Sequence, residues 1–314
     1  MQEDTKTYSQ MRKEFYEKFK TVIIPTVMEY EDVRKRKLLL AITVSSALIL
    51  VGIILAFLAA KNGGMFEKNN EGITKLGAII FGAAFVSWYC IKKSFENTIK
   101  EKIMPIVCGC FGDFKWSCGS YPDGKFFSKS GVIPEYTSGS YDDIFTGCHK
   151  DTKIEIVESE YERGSGKNRQ TVFNGVIIKL DMNKKFTSHT IIKPNGLFHQ
   201  SPISGLHFTE LEDVEFNKKF DVFTNDETDA RYLITPTFME RLKNMETAFC
   251  ANRVSCAFYD KFLIIALYTT KDLFSICSLV KTICDSNQYF KMYEEIMSIV
   301  KLIDHFKLSE KTGI

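Results

Sequence analysis

A short acidic block holds the densest group of side chains that could do chemistry. Its members are Asp221, Asp226, Glu227, Asp229 and Arg231. Neighbouring carboxylates can hold a cation or work as general acid and base. The block lacks the glycine and terminal glutamate of an EF-hand loop, so a calcium site is not predicted. In the alternative interpretation Asn225-Asp226 makes a turn and Arg231 pairs with a local carboxylate.

Cysteine and histidine offer a second kind of chemistry, because both can bind soft metal ions. The cysteines concerned are Cys108, Cys110, Cys118 and Cys148, and the histidines are His189, His199 and His207. The paired C-x-x-C spacing of structural zinc sites and the H-E-x-x-H pair of metalloproteases are both missing from the sequence. Small buried thiols are the favoured interpretation. No metal and no other cofactor is predicted, and a redox or metal role for the cysteines stays open.

A glycine-rich basic loop lies between two predicted strands. It runs Gly164-Ser165-Gly166-Lys167, but position 161 is Tyr and position 168 is Asn, which excludes a phosphate-binding loop of the G-x-x-x-x-G-K-[ST] type. The loop carries Arg163, Lys167 and Arg169. These side chains either form a solvated hairpin tip or contact anionic lipid head groups, if the tip faces a membrane.

Two apolar segments predict a transmembrane helical hairpin at residues 38–91. Residues 38–60 carry no charge and would span about 34 Å as a helix, and residues 73–91 carry only Lys75. Arg34, Lys35, Arg36 and Lys37 precede the first segment, and Lys92 and Lys93 follow the second. By the positive-inside rule both termini are cytoplasmic. We expect a multi-pass membrane protein.

Amphipathic segments bracket the hairpin at an offset of 80 residues. Residues 15–27 and 95–107 share a pattern of apolar residues at every fourth position and a proline, which predicts helices that end or kink near Pro25 and Pro105. Residues 1–37 therefore form an N-terminal cytoplasmic segment and residues 92–107 a stalk helix. Small residues at four-residue spacing favour close packing of the membrane helices. They are Gly52, Ala56, Ala60, Ala78 and Gly82.

The remaining residues, 108–314, predict a cytoplasmic α+β domain with mainly antiparallel strands. Predicted strands lie at residues 153–162, 171–181, 186–193, 206–211, 220–224, 254–259 and 262–268. A helix begins at Thr235-Pro236, where Thr caps and Pro occupies the first turn, and an apolar stripe predicts a helix at residues 289–306. The chain has 41 basic and 39 acidic residues, so no nucleic-acid surface is predicted. Its nine cysteines favour reduced thiols in a compartment facing the cytosol.

Several sequence blocks resemble the bacterial family catalogued as domain of unknown function 3137. The central block reads F-N-K-K-F-D-V-F at 216–223, Asp226, D-A-R-Y-L-I-T-P at 229–236 and F-M-E-R-L at 238–242. The other marks are S-G-V at 130–132, Tyr141, Gly147, Glu158, Tyr161, V-F-N-G at 172–175 and D-L-F at 272–274. The resemblance implies the same two-helix anchor, in the bacterial inner membrane, and the same cytoplasmic domain. It implies nothing firm about activity, because no catalytic residues are assigned to the family. Genes of the family often lie near those for LemA-type membrane proteins, which implies a membrane-protein partner.

These observations predict a non-enzymatic, membrane-anchored interaction module that binds a protein partner or the membrane surface. The alternative is a membrane-bound hydrolase that uses the carboxylates around Asp226 and Asp229. Residues 216–242 are expected to be mostly buried and to fix strand pairing, with Phe220, Val222 and Tyr232 on strands joined by a turn at Asn225-Asp226.

Overall fold

The computed structural model describes residues 8–61, 71–109, 114–121, 124–149, 151–196, 201–271 and 273–312. The chain forms two compact units, Met1–Cys110 with Ser275–Gln288, and Phe111–Phe274 with Tyr289–Ile314. We refer to them as the hairpin unit and the sheet unit. Among the residues singled out from the sequence, Cys110, His199 and Asp272 lie outside the described residues, as does the connection at 62–70.

In the hairpin unit, helix α1 (Tyr8–Lys18) continues through a π-helical turn (Phe19–Ile23) into α2 (Ile24–Lys61). Pro25 has no backbone N–H, and its ring crowds the carbonyl four residues earlier, so a regular helix is not maintained there. The π-helical turn widens the helix just before the proline, and Ile24 N–H donates to Phe19 O. In α3 (Glu71–Cys108) the helix ends three residues after Pro105. Both prolines thus lie beside an irregular turn or a helix end.

The contact between α2 and α3 uses small residues, but at a spacing different from the predicted one. The buried positions of α2 are mostly seven residues apart, as in a left-handed coiled coil: Val27, Arg34, Ala41, Ser45, Gly52 and Ala59. Ser45 Oγ donates to Ala84 O at 3.2 Å. The predicted four-residue stripe was wrong in part, because Ala60 is exposed and a Cβ on Gly82 would meet no atom within 4 Å.

The amphipathic segments that flank the hairpin bury their apolar stripes within the same unit. On the N-terminal side the buried residues are Phe15, Phe19, Ile23 and Val27, and on the C-terminal side they are Phe95, Ile99, Ile103 and Val107. Lys18 Nζ donates to Gly109 O at 3.4 Å, which joins the two ends. Burial of these stripes removes apolar surface from water and stabilises the unit.

The sheet unit contains one antiparallel sheet, whose strands within the described residues run in the order β1-β2-β3-β4-β9-β8-β5-β7-β6. The strands are β1 (Lys115–Cys118), β2 (Ser138–His149), β3 (Thr152–Arg163), β4 (Gln170–Asp181), β5 (Thr190–Pro194), β6 (His207–Thr209), β7 (Phe220–Thr224), β8 (Arg253–Tyr259) and β9 (Phe262–Tyr268). The helices are α4 (Gly124–Lys129), α5 (Val214–Lys219), α6 (Glu227–Leu233), α7 (Pro236–Ala248) and α8 (Ser286–Thr312). The structure therefore confirms an α+β fold with antiparallel pairing.

Both faces of the sheet bury aromatic and aliphatic side chains. One face packs against Phe127 of α4 in a cluster that includes Tyr161, Phe173 and Ile177. On the opposite face Phe258 contacts Phe238 of α7, with ring centroids 5.4 Å apart. A sheet covered on both faces is fixed in register, because a slip by one residue would exchange the two sets of side chains.

Some local predictions were wrong. Tyr232 lies on helix α6 and is 61% exposed, because Asp226 starts a helix where a second strand was expected. Strand β5 begins at Thr190 rather than at Phe186. Strands β1 and β2 were not predicted at all. The exposed first residues of β2 lack the apolar alternation that marks a half-buried strand.

Candidate functional site

Asp226 in the acidic block caps the N-terminus of helix α6. Its side-chain Oδ1 accepts hydrogen bonds from Thr228 N at 2.9 Å and from Asp229 N at 3.1 Å. These are backbone N–H groups that the helix leaves without partners, and a carboxylate there also complements the helix dipole. The turn at Asn225-Asp226 is thus the start of a helix. Asp226 itself is exposed.

Asp229 connects helix α6 to the segment before strand β5. Its Oδ2 accepts from Ser188 Oγ at 2.5 Å and from Ser188 N at 3.2 Å. A chain of hydroxyl groups continues from Ser188 to Thr190 at 3.1 Å and from Thr190 to Thr224 at 2.9 Å. All three hydroxyl residues are buried. Asp229 therefore satisfies a buried polar network, which is costly to leave incomplete.

The other members of the block lie apart from this network. Asp221 is buried in β7 and accepts from Gly196 N at 3.1 Å through Oδ2. Arg231 Nη2 donates to the backbone oxygen of Glu210 at 2.9 Å, so its partner is a carbonyl rather than the predicted carboxylate. Glu227 is exposed and lies 3.8 Å from His207 Nε2. The block thus does not gather its carboxylates into one pocket.

A second acidic group, which the sequence interpretation missed, forms across strands β2 and β3. Ligand oxygens of Asp142, Asp143 and Glu158 lie within 4.8 Å of one another. Three carboxylates at this distance could hold a divalent cation. However, Asp143 Oδ1 accepts from Trp116 Nε1 at 2.8 Å, and Glu158 Oε1 accepts from Leu273 N at 3.0 Å. Asp143 and Glu158 therefore already have protein hydrogen-bond donors.

The cysteines and histidines do not converge on a metal site within the described residues. Cys108 is buried, but Cys118 and Cys148 are exposed. Of these three described cysteines, only Cys108 fits the prediction of buried thiols. His189 Nε2 donates to Ser130 O at 2.9 Å, and burial lowers the pKa of this imidazole. His149 Nε2 lies 2.7 Å from Asp304 Oδ1, which connects β2 to α8 within the sheet unit.

The basic loop between β3 and β4 forms the predicted hairpin tip. Arg163 Nε donates to Glu135 O at 2.8 Å, and Arg169 pairs with Glu162. Lys167 is exposed. Two of the three cations are thus engaged within their own unit, and contact of this tip with lipid stays a prediction.

Four tyrosines form a cluster at the N-terminus of α4 that the sequence interpretation also missed. The rings of Tyr136 and Tyr161 lie 4.3 Å apart, and Tyr141 and Tyr121 extend the contact. Burial raises the pKa of Tyr161, and it raises the pKa of Tyr136 to about 12. A Cβ on Gly124 would lie 2.4 Å from the hydroxyl of Tyr141, so a larger residue there would displace the tyrosine rings. The phenols of Tyr136 and Tyr161 therefore stay protonated near neutral pH, and the four rings pack together.

The hairpin unit contains a polar contact near the predicted membrane boundary. Arg34 is 8% exposed, and its Nη1 donates to Leu279 O at 2.9 Å, while Nη2 lies 2.7 Å from Glu31 Oε1. The carboxylate of Glu31 in turn accepts from Ile283 N at 3.4 Å. Two charged side chains of α2 thus hold the segment Ser275–Gln288. The sequence contains no pattern that separates this segment from the rest of the α+β domain.

The chain thus combines two helices long and apolar enough to cross a membrane with an antiparallel α+β unit. Residues 171–308 match the family described as "Protein of unknown function (DUF3137)". The family resemblance is confirmed over these residues, and the match does not extend to the helical hairpin.

Among solved structures, the crystal structure of the mycobacterial trehalose monomycolate transport factor A, TtfA, is similar to this chain. The identity is 11% and the TM-score 0.38, over 63% of this chain and 90% of that one. Values at this level establish neither a common fold nor a common function. No curated protein matches the chain significantly.

Several residues that carry the family resemblance lie in the sheet unit at positions where packing or backbone geometry restricts the residue type. Gly175 has φ +148°, and a Cβ on it would lie 2.0 Å from Leu267 O on the neighbouring strand. Glu158 is hydrogen-bonded to Leu273, so two distant marks touch. Tyr141 and Tyr161 belong to the tyrosine cluster. These contacts explain the marks through packing and backbone geometry.

Proposed function

We propose that this protein is a membrane-anchored, non-enzymatic interaction module of the bacterial inner membrane. The hairpin crosses the membrane twice, both termini are cytoplasmic, and the sheet unit binds a protein partner or the membrane surface. The family resemblance makes a LemA-type membrane protein the first partner to test.

The exposed apolar surface of the hairpin is the observation that carries this proposal. In the most apolar windows of the two long helices only 11% and 6% of the residues are buried. The outward side chains are large, including Leu39, Ile53, Phe57, Ile79 and Phe85, which are 57–68% exposed. Soluble proteins rarely leave an apolar surface of this extent in water, whereas a bilayer core covers it without cost.

The acidic block supports a binding module over the hydrolase. An acid/base pair needs two carboxylates facing a substrate in a cleft. Here Asp226 caps a helix at the surface, Asp229 accepts from Ser188, and Asp221 lies buried on a different element. The carboxylates thus serve the fold that presents the binding surface.

Capture of partners and a hydrolysis assay on the full chain test the two functions together. The wild type and the Asp226→Ala variant are crosslinked in native membranes, solubilised in detergent and purified. The proteins crosslinked to each chain are then identified by mass spectrometry. Glu227→Ala is the matched control, because Glu227 is the next residue and is exposed, whereas Asp226 makes the cap of α6. Loss of the cap should lower the free energy of unfolding by about 1 kcal/mol, and we expect the same partner with all three chains.

The hydrolase makes the opposite prediction. It requires that the wild type hydrolyse ester or phosphoester probe substrates and that Asp226→Ala abolish this activity while the chain stays folded. Such a loss, with Glu227→Ala fully active, would contradict the proposal.

A further inference from the structure

The segment Ser275–Gln288 buries several apolar side chains in the hairpin unit, while residues 280–282, which we call its tip, are exposed. Ile276, Cys277, Leu279 and Ile283 are buried, with exposed fractions of 0 to 2%. Residues 280–282 between them are exposed, and Val280 is 61% exposed although it is apolar. The segment therefore presents an apolar side chain to its surroundings while its neighbours pack into the hairpin unit.

Two hydrogen bonds fix the height of this segment along the hairpin. Leu279 O accepts from Arg34, four residues before the predicted first span, and Cys277 Sγ donates to Glu96 O at 3.6 Å, five residues after the second. At about 1.5 Å per residue these points lie roughly 6 to 8 Å from the ends of the apolar segments. Both helices thus place the segment at the depth of the lipid head groups.

Basic residues lie beside this tip in the sequence and beside the two points that anchor the segment. Lys281 is exposed beside Val280, and Lys35, Arg36 and Lys37 continue α2 toward the apolar segment. Lys92, which is 44% exposed, lies one helical turn before Glu96 on α3. Acidic partners are also present, since Lys35 lies 3.7 Å from Asp32 and Lys92 lies 3.8 Å from Glu96. The exposed cations nevertheless complement anionic phospholipids, which attract basic residues close to a membrane surface.

We propose that residues 280–282 form a second membrane contact, in which Val280 enters the head-group region and Lys281 binds anionic phospholipid head groups. Arg34 is a positioning residue that holds the segment at this depth through Leu279. The contact rests on the proposed function, because it requires that the hairpin span the bilayer. An interfacial contact of this kind would limit tilting of the stalk relative to the membrane.

Single-tryptophan variants of the full chain in vesicles test the contact. Trp88 and Trp116 are replaced by Phe, and one tryptophan is returned as Val280→Trp, Phe57→Trp or Val214→Trp. Phe57 is exposed inside the predicted span, and Val214 is an exposed apolar residue of the sheet unit. The probes are vesicles of phosphatidylcholine alone or with phosphatidylglycerol, brominated near the top of the acyl chains.

We expect quenching and a blue shift for tryptophan at position 280, stronger with brominated phosphatidylglycerol, and no quenching at position 214. Arg34→Ala should reduce quenching at 280 and leave it unchanged at 57. Quenching at 57 without quenching at 280 would overturn the second contact alone, whereas no quenching at 57 would overturn the membrane-spanning hairpin. Equal quenching at 280 and 214 would also overturn a contact specific to this tip.

A second measurement keeps the native tryptophans. A photoreactive amino acid at position 280 in the otherwise unchanged chain should crosslink to phospholipid, and one at position 214 should not. Crosslinks from position 280 to protein alone would overturn the proposal.

Discussion

The role of each carboxylate in this protein depends on the hydrogen-bond donors around it. Asp226 and Asp229 accept from backbone N–H groups and a serine, whereas Glu295 of α8 is 1% exposed in an apolar setting. Burial raises the pKa of Glu295 to about 7, and the ammonium of Lys291 at 3.5 Å offsets part of that effect. Glu295 is therefore a residue where the sheet unit responds to pH.

The raised pKa of Glu295 predicts the sign of one pH dependence. The folded chain holds this proton up to about pH 7, while the unfolded chain releases it near the ordinary pKa of 4.5. Protonation of Glu295 in the folded chain therefore contributes a stability that is complete below pH 4.5 and is lost as the pH rises toward 7. In the Glu295→Gln variant the free energy of unfolding should no longer show this pH dependence, which amounts to up to about 3 kcal/mol. Denaturant unfolding in detergent from pH 4 to 8 checks this, with exposed Glu227→Gln as control. Parallel curves for wild type and Glu295→Gln would contradict the assignment.

Residue roles were predictable from sequence where a local rule applies. Thr235 precedes Pro236 and caps α7 as predicted, whereas Asp226, which was expected in a turn between strands, caps α6. The contacts of Asp229 with Ser188, and of Asp142 with Glu158, join residues that are 41 and 16 positions apart. No local pattern marks such pairs, because they follow from strand order.

At the scale of elements, residues 216–242 connect β7, α6 and α7, and their burial makes a testable contrast. Phe220 and Leu242 are 3% and 0% exposed, whereas Tyr232 is 61% exposed. Replacing Phe220 or Leu242 by Ala should lower the free energy of unfolding by roughly 2 to 5 kcal/mol, because each change leaves a cavity. Tyr232→Ala should cost much less, about 0.5 kcal/mol. Thermal unfolding monitored by circular dichroism measures the three, and equal losses would contradict the described register.

Elements were predicted well where apolar residues alternate or recur. Strands β3, β4, β7, β8 and β9 match the sequence pattern closely, and α7 begins at the predicted residue. Strand β2 was missed because its first half is exposed, and α6 was missed because it is only seven residues long. Short helices carry too few turns for an apolar period to be visible.

At the scale of the whole molecule, we propose that a membrane hairpin anchors a cytoplasmic α+β unit. The two long helices follow from composition alone, and their exposed apolar faces agree with a lipid environment. The packing of Ser275–Gln288 with the hairpin unit could not be predicted, since it joins residues about 245 positions apart, such as Arg34 and Leu279.

Reporter fusions measure the orientation of this anchor directly. A reporter that is active only in the periplasm is inserted between Lys61 and Gly72, or fused to either terminus of the full chain. The basic flanks at Arg34–Lys37 and Lys92-Lys93 predict activity at the internal position and silence at both termini. A reporter that is active only in the cytoplasm should give the complementary result. Periplasmic activity at the C-terminus, with silence between Lys61 and Gly72, would contradict a cytoplasmic α+β unit on a membrane hairpin.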